Sequence, residues 1–142
     1  LMAEARLGPN RLKGAYAWKS LRDSGAKLAF GTDVPVESPD PFAGLGAAIT
    51  REDASGQPFG GWIPEERLTR QQAWQAYTIG AAHAAFAEDR LGSLEPGKRA
   101  DFILIDEDVL LATPGQIRNL EVLQTWIGGR PVFVSKGQVS NR

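Results

Sequence analysis

Residues 27–37 have the sequence KLAFGTDVPVE, in which a short apolar run ends close to an aspartate. Leu28 to Gly31 are apolar or glycine, as is typical of a strand that is buried on both faces of a parallel sheet. We therefore predict a β-strand over residues 27–31. In parallel α/β folds the functional side chains lie at the carboxyl ends of the strands, which is where Asp33 comes. A carboxylate there can ligate a divalent cation or accept a proton as a general base.

The same residues also fit a simple turn. Aspartate and proline are preferred turn residues, and an aspartate side chain can hydrogen-bond to its own backbone. Taken alone, the local sequence favours this structural role for Asp33. A chemical role therefore needs support from the rest of the chain.

Composition excludes several classes of function. The net charge of −1 and the scattered basic residues argue against nucleic acid and anionic membranes as partners. The chain has no cysteine, which excludes disulfides, thiolate zinc sites and a cysteine nucleophile. No apolar run approaches the roughly 18 residues of a membrane span, and the first residues lack the apolar core of a signal peptide. We expect a cytoplasmic location and no membrane partner.

The pattern of elements changes near residue 91. Residues 1–90 are predicted to be α/β, and residues 91–142 mainly β. In the first part, Asp40 and Thr69 are predicted to cap helices, and Pro41 fits a first turn. The predicted helices cover residues 11–24, 42–50, 70–86 and a short turn within 113–120, and the predicted strands cover 27–31, 101–105, 122–127 and 131–134.

Several segments together resemble the metal-dependent amidohydrolase superfamily, most closely its YtcJ-like branch. They are GTDVPVE (31–37), PDPF (39–42), TRED (50–53), PEERLTRQQAWQAYTIGAA (64–82) and LGSLEPGKRADFILID (91–106). The resemblance extends from about Arg6 to Gly137, and the last of these segments is the most specific. It implies the final strand and helices of a (β/α)8 barrel over residues 1–90. It implies the C-terminal part of a composite β-domain over residues 91–142.

The resemblance also implies a chemistry. The superfamily hydrolyses amide and related non-peptide carbon–nitrogen bonds of small molecules at a centre of one or two divalent metal ions, and zinc is the metal we expect. Asp33 matches its last-strand aspartate, which lies close to the metal and takes a proton from the metal-bound water. Since a metal lowers the pKa of its water to around 7, a nearby carboxylate can accept that proton.

This sequence departs from the family in its histidines. The family holds its metal with a His-x-His pair on the first barrel strand and single histidines on the fifth and sixth, and none has a counterpart here. The one histidine, His83, lies on a predicted Ala-rich helix, and we expect it to be structural. We therefore expect a fragment that is inactive and metal-free by itself. The remainder of the barrel, a second chain or a second copy would then be its partner.

Other candidate residues are less specific. Glu37, Asp40, Glu52 and Asp53 could contact substrate from loops above the barrel, although exposed acidic residues are more commonly only solvated. Trp62 could line a pocket or anchor its loop, and the sequence does not separate these two roles.

A non-catalytic function is the alternative for the chain. A single parallel strand cannot close a barrel, so the predicted strand over residues 27–31 would have two unpaired edges. Such edges could pair with another chain and make this protein a structural or assembly module.

Overall fold

The computed structural model of the chain describes residues 2–136, so Gly137 and the remainder of the predicted β-domain lie outside the described residues. None of the helices in this part of the chain is long and apolar enough to cross a membrane. The α-helices are α1 (Met2–Leu7), α2 (Trp18–Asp23), α3 (Pro41–Thr50), α4 (Arg70–Gln75), α5 (Ala81–Ala84) and α6 (Pro114–Arg118). Short 3-10 helices cover Pro9–Gly14 and Pro64–Glu66, and a π-turn over Ala76–Gly80 joins α4 to α5.

Local capping signals account for two of the helix starts. The Asp40 carboxylate accepts a hydrogen bond from the Phe42 N–H at 2.9 Å, and Pro41 is the first residue of α3. Thr69 caps α4 and exchanges hydrogen bonds with Gln72, which forms a capping box. Both predicted caps are therefore confirmed.

Three antiparallel strands form a sheet in the order β1-β2-β3. They are β1 (Phe102–Ile105), β2 (Val122–Ile127) and β3 (Arg130–Val134), and the Gly128-Gly129 turn joins the last two at positive φ. Glycine adopts positive φ without a steric penalty, so it suits this tight connection. The predicted strand and hairpin of the second half are confirmed.

The core lies where α3, α4 and α6 meet. Leu45 and Ile117 are its largest fully buried side chains. Two glycines of α3 allow close packing there, because a Cβ at Gly44 would meet the Tyr77 hydroxyl and one at Gly46 would meet the Arg118 side chain. The remaining buried members of this cluster are Phe42, Ala48, Leu68, Ala73, Val109, Ala112 and Leu120.

The predicted continuous helix over residues 11–24 is wrong. The chain forms the 3-10 helix Pro9–Gly14 and then α2, with Tyr16 between them at a φ of 52°. The Arg51 guanidinium donates a hydrogen bond to the Tyr16 carbonyl at 3.1 Å. This contact comes from outside the segment, so the sequence of residues 11–24 could not reveal it.

The predicted strand over residues 27–31 is also absent, and the sheet that the structure describes is antiparallel throughout. Residues 26–33 have no regular secondary structure. A strand needs backbone partners on a neighbouring strand, and residues 2–136 supply none here. The Phe30 N–H instead donates to the Ala76 carbonyl at 3.0 Å.

Candidate active site

Asp33 lies in an exposed turn. Its φ is 57°, in the left-handed region that non-glycine residues adopt uncommonly, and its carbonyl accepts the Val36 N–H at 2.8 Å. The peptide bond between Val34 and Pro35 within this turn is cis. No side chain or backbone group of residues 2–136 hydrogen-bonds to the Asp33 carboxylate. The carboxylate is therefore accessible to a ligand or a solvent molecule.

The segment leading to Asp33 is attached to the π-turn. The Phe30 N–H bonds to Ala76, the first residue of that turn. The Phe30 ring makes edge contacts with the rings of Trp18 and Tyr77, with centroids 5.5 Å apart in both pairs. A π-turn within an α-helix is frequently found at functional sites. Asp33 thus follows a segment that is held by both backbone and side-chain contacts.

Gly80 allows the same segment to approach the helix closely. A Cβ at this position would clash with the Leu28 carbonyl oxygen, which is a backbone atom and cannot turn aside. The contact requires a residue without a side chain, although Gly80 itself has helical φ and ψ. Sequence reasoning missed this role. The available signal was a glycine inside an otherwise good helix-forming segment.

Tyr77 lies next to this segment and close to Asp40. Burial raises the pKa of the Tyr77 phenol, and the negative charge of Asp40 raises it further. The phenol is therefore protonated at neutral pH and can act as a hydrogen-bond donor.

The other candidate acids are not gathered around Asp33. Glu37 is exposed, and Asp40 caps α3. Glu52 accepts the Gly60 N–H at 3.1 Å. Asp53 accepts hydrogen bonds from Ser55 and Gln57. These bonds hold the pKa of Asp53 below its usual range, and the bond from the Ser55 hydroxyl contributes most. Three of the four carboxylates therefore organise local backbone.

His83 forms a local pair with Glu88. Its Nδ1 lies 2.5 Å from the Glu88 carboxylate, and both side chains are about two-fifths exposed. The pKa of Glu88 is lowered, mainly by the hydrogen bond that its carboxylate accepts from the Glu88 backbone N–H and then by the bond to His83. Among residues 2–136 Glu88 is the one acidic side chain paired with His83, and the structural role of His83 stays a prediction.

A metal centre needs several ligating side chains in one place. No group of three or more histidine, cysteine, aspartate or glutamate residues within positions 2–136 could hold a metal ion. The described part of the chain therefore does not fit a complete metal centre.

Trp62 combines both roles that the sequence left open. Its backbone N–H donates to the Arg51 carbonyl at 2.8 Å, and its indole N–H donates to Glu4 at 2.9 Å. These bonds anchor the loop. The same ring lines a cavity of about 340 Å³, whose wall also includes Tyr16 and Trp18.

Comparison with known proteins gives the same family over nearly the whole chain. A family model described as "Amidohydrolase family" matches residues 1–133. The putative amidohydrolase YtcJ of Bacillus subtilis is 34% identical over 90% of this chain and 24% of the relative. The N-substituted formamide deformylase of Arthrobacter pascens is 33% identical over 78% of this chain and 20% of the relative. The chain thus spans a quarter or less of the length of these relatives.

A solved structure supports the same assignment. The crystal structure of an uncharacterized metal-dependent hydrolase from Pyrococcus horikoshii matches with a TM-score of 0.69 and 34% identity. The match covers 79% of this chain and 23% of that protein. The resemblance to the YtcJ-like amidohydrolases is confirmed, and the chain belongs to the amidohydrolase family.

Proposed function

We propose that this chain supplies the general base of a hydrolase that cleaves non-peptide, amide-type carbon–nitrogen bonds, and that Asp33 is this base. Membership of the amidohydrolase family is the observation that carries the proposal. The relative from Arthrobacter pascens, which is named for N-substituted formamides, supports a small amide as the substrate.

As general base, the Asp33 carboxylate would take a proton from the attacking water and pass it to the leaving nitrogen. This role needs an accessible carboxylate whose motion is restricted. The exposure of Asp33 supports access. The contacts of Phe30 with Ala76, Trp18 and Tyr77 support a restricted position for the preceding segment.

The superfamily resemblance implies a divalent metal, expected to be zinc, which would polarise the scissile carbonyl and the attacking water. Since positions 2–136 hold no group of three ligating residues, we assign Asp33 alone to the neighbourhood of that metal. We propose that the other ligands come from the remainder of the barrel or from a second chain.

We also propose how the chain fits into such an enzyme. Residues 1–90 would complete the C-terminal portion of a (β/α)8 barrel, and residues 91–142 would form part of a composite β-domain. Residues 27–31 would become the last barrel strand once neighbouring strands supply backbone partners. The apolar character of this segment supports that role.

The test is Asp33→Asn in the complete enzyme, assayed for turnover of an N-substituted formamide together with metal analysis. We expect turnover to be lost while the bound metal is unchanged, because the amide keeps the shape of the side chain but is not a base. Asp89→Asn, the same change at a side chain that is 79% exposed, is the matched control and should retain activity. Full turnover by Asp33→Asn would contradict the proposal.

The exposed sheet favours a second candidate, an assembly module that pairs through its edges. All five residues of β3 are exposed, and Val132, Phe133 and Val134 are 60%, 49% and 46% exposed. Within the described residues, β1 and β3 each pair on one side only. Size-exclusion chromatography with light scattering tests this function, which a monomer at all concentrations and no co-purifying partner would contradict.

A further inference from the structure

An aromatic cavity lies next to a buried arginine, apart from the Asp33 turn. The cavity has a volume of about 340 Å³ and is lined by Tyr16, Trp18, Arg51 and Trp62, with Ala47 at its α3 side. The Tyr16 and Trp62 rings are in edge contact, with centroids 5.6 Å apart. The wall also includes the polar residues Glu52, Asp53 and Gln57. A mostly apolar wall with a few polar groups is typical of a small-molecule site.

One nitrogen of Arg51 has no hydrogen-bond partner within residues 2–136. Only 7% of the residue is exposed. Its Nε donates to the Trp62 carbonyl at 2.9 Å and its Nη1 to the Tyr16 carbonyl at 3.1 Å. Nη2 is buried and has no hydrogen-bond partner among the residues that the structure describes. A buried donor that lacks an acceptor is costly, so an acceptor that reached it would be bound favourably.

The aromatic rings hold the guanidinium in place. Its carbon lies 4.5 Å from the centre of the Trp18 ring and 5.3 Å from that of Trp62, which are cation–π distances. Because Nη2 is shielded from solvent, a ligand must displace part of this cover to reach it.

Charges around the cavity select against an anion. Burial lowers the pKa of the Arg51 guanidinium, whereas the negative charges of Glu66 and Glu65 raise it. These two carboxylates also offset the positive charge of Arg51. Glu52 and Asp53 also line the cavity wall. A carboxylate ligand would meet these acids, whereas a neutral carbonyl oxygen can accept from Nη2 without that repulsion.

We propose that this cavity is a binding site for an uncharged aromatic amide, with the ring packed against Trp18 and Trp62 and the carbonyl oxygen accepting from Arg51 Nη2. The site rests on its own geometry and does not depend on the chemistry assigned to Asp33.

The test follows the indole N–H signals of the purified protein by NMR during titration with three probes. Benzamide is the uncharged aromatic amide, benzoate its anionic counterpart and benzylamine its cationic one. We expect benzamide to shift the Trp18 and Trp62 signals saturably in the millimolar range, as suits so small a ligand. Trp74 and Trp126 lie outside the cavity wall and serve as internal controls.

Two variants and a matched control test the geometry of the cavity. Ala47→Met places a larger side chain in the cavity, and Ala43→Met, one turn earlier on the exposed face of α3, is its matched control. Arg51→Lys keeps the charge but removes the planar guanidinium and its fixed set of N–H donors. We expect Ala47→Met to abolish saturable binding, Ala43→Met to leave it unchanged, and Arg51→Lys to weaken it about tenfold.

Four results would each overturn the proposal. They are no saturable shift with benzamide, tighter binding of benzoate or benzylamine, unchanged binding by Ala47→Met, and unchanged binding by Arg51→Lys. Unshifted Trp74 and Trp126 signals in the variants before titration would show that the fold is intact. Since every readout is binding, these results are independent of turnover and of Asp33→Asn.

Discussion

The carboxylate of Glu66 accepts hydrogen bonds from both the backbone N–H and the hydroxyl of Ser20, a residue 46 positions earlier in the chain. Ser20 lies in the first turn of α2, where N–H groups have no partner within the helix. The residue before α2, Ala17, offers no side-chain cap. Glu66 therefore replaces the missing local cap and joins α2 to the Pro64–Glu66 turn.

This cap predicts a pH-dependent stability. Hydrogen bonds, first from the Ser20 hydroxyl and then from its N–H, lower the pKa of Glu66 below its ordinary 4.5. The pKa of Glu66 is thus lower in the folded than in the unfolded chain. The contribution of these bonds to the free energy of unfolding is therefore complete above pH 4.5 and is lost as the pH falls through the folded pKa. Glu66→Gln should be less stable at neutral pH, with the difference shrinking in acid, in urea unfolding measured across this range.

Glu65→Gln is the control for Glu66→Gln, because Glu65 is the exposed neighbour in the same turn. It should lose less stability than Glu66→Gln at neutral pH, because Glu65 makes no bond to Ser20 and only its charge acts on Arg51. An equal loss of stability in both variants would show that general charge, rather than the cap on α2, is responsible.

Gly80→Ala should disturb the segment that leads to Asp33. The new Cβ would clash with the Leu28 carbonyl oxygen, so the segment or the helix must shift. We expect a loss of roughly 1–3 kcal/mol of stability, as is usual for overpacking. The Phe30 amide should also exchange its hydrogen faster, because its bond to Ala76 is broken.

Hydrogen exchange followed by mass spectrometry or NMR measures this effect. Gly115→Ala is the matched control, since Gly115 is also helical and a Cβ there would meet nothing within 4 Å. Unchanged protection of Phe30 in Gly80→Ala would mean that the π-turn does not hold this segment.

Ile117→Ala should be strongly destabilising. Ile117 has 0% exposure in the centre of the core, so truncation leaves a cavity and is expected to cost about 2–5 kcal/mol. Leu111→Ala, at a side chain that is 82% exposed, should change the free energy of unfolding little. Similar unfolding midpoints for the two variants would contradict the position of the core between α3, α4 and α6.

Arg118→Met should loosen α6 from the end of α3. Arg118 Nη2 donates to the Thr50 hydroxyl at 2.7 Å and to the Glu52 carbonyl at 3.3 Å. Methionine keeps much of the packing over Gly46 but removes these bonds, at an expected cost of about 1–3 kcal/mol in thermal or urea unfolding. Arg130→Met, at an exposed position of β3, should have little effect and controls for the loss of a positive charge.

Local signals predicted much of the fold. The helix caps are local: Asp40 is followed directly by Pro41, and Thr69 bonds to Gln72 three residues later. A cap and its partner therefore lie within four residues of each other in the sequence, where a local pattern can reveal them. The hairpin from Val122 to Val134 follows the same logic, because its turn glycines lie between its strands. The family resemblance came from such segments and was confirmed.

The candidate site was less predictable. Asp33 was identified from its position after an apolar run, and its catalytic role stays a prediction. The run itself forms no strand, because a strand depends on backbone partners that residues 2–136 do not provide. The cavity beside Arg51 had no signal beyond Trp62, whose two possible roles the sequence could not separate.

The sequence alone determined the family, the capped helices and the antiparallel hairpin, since these depend on neighbouring residues and on recurring motifs. Tertiary structure decided the rest. The bonds from Arg51 to Tyr16, from Phe30 to Ala76 and from Ser20 to Glu66 each join residues 35 or more positions apart. Such contacts form only when helix packing brings distant backbone groups within hydrogen-bonding distance, and no local pattern encodes which groups will meet.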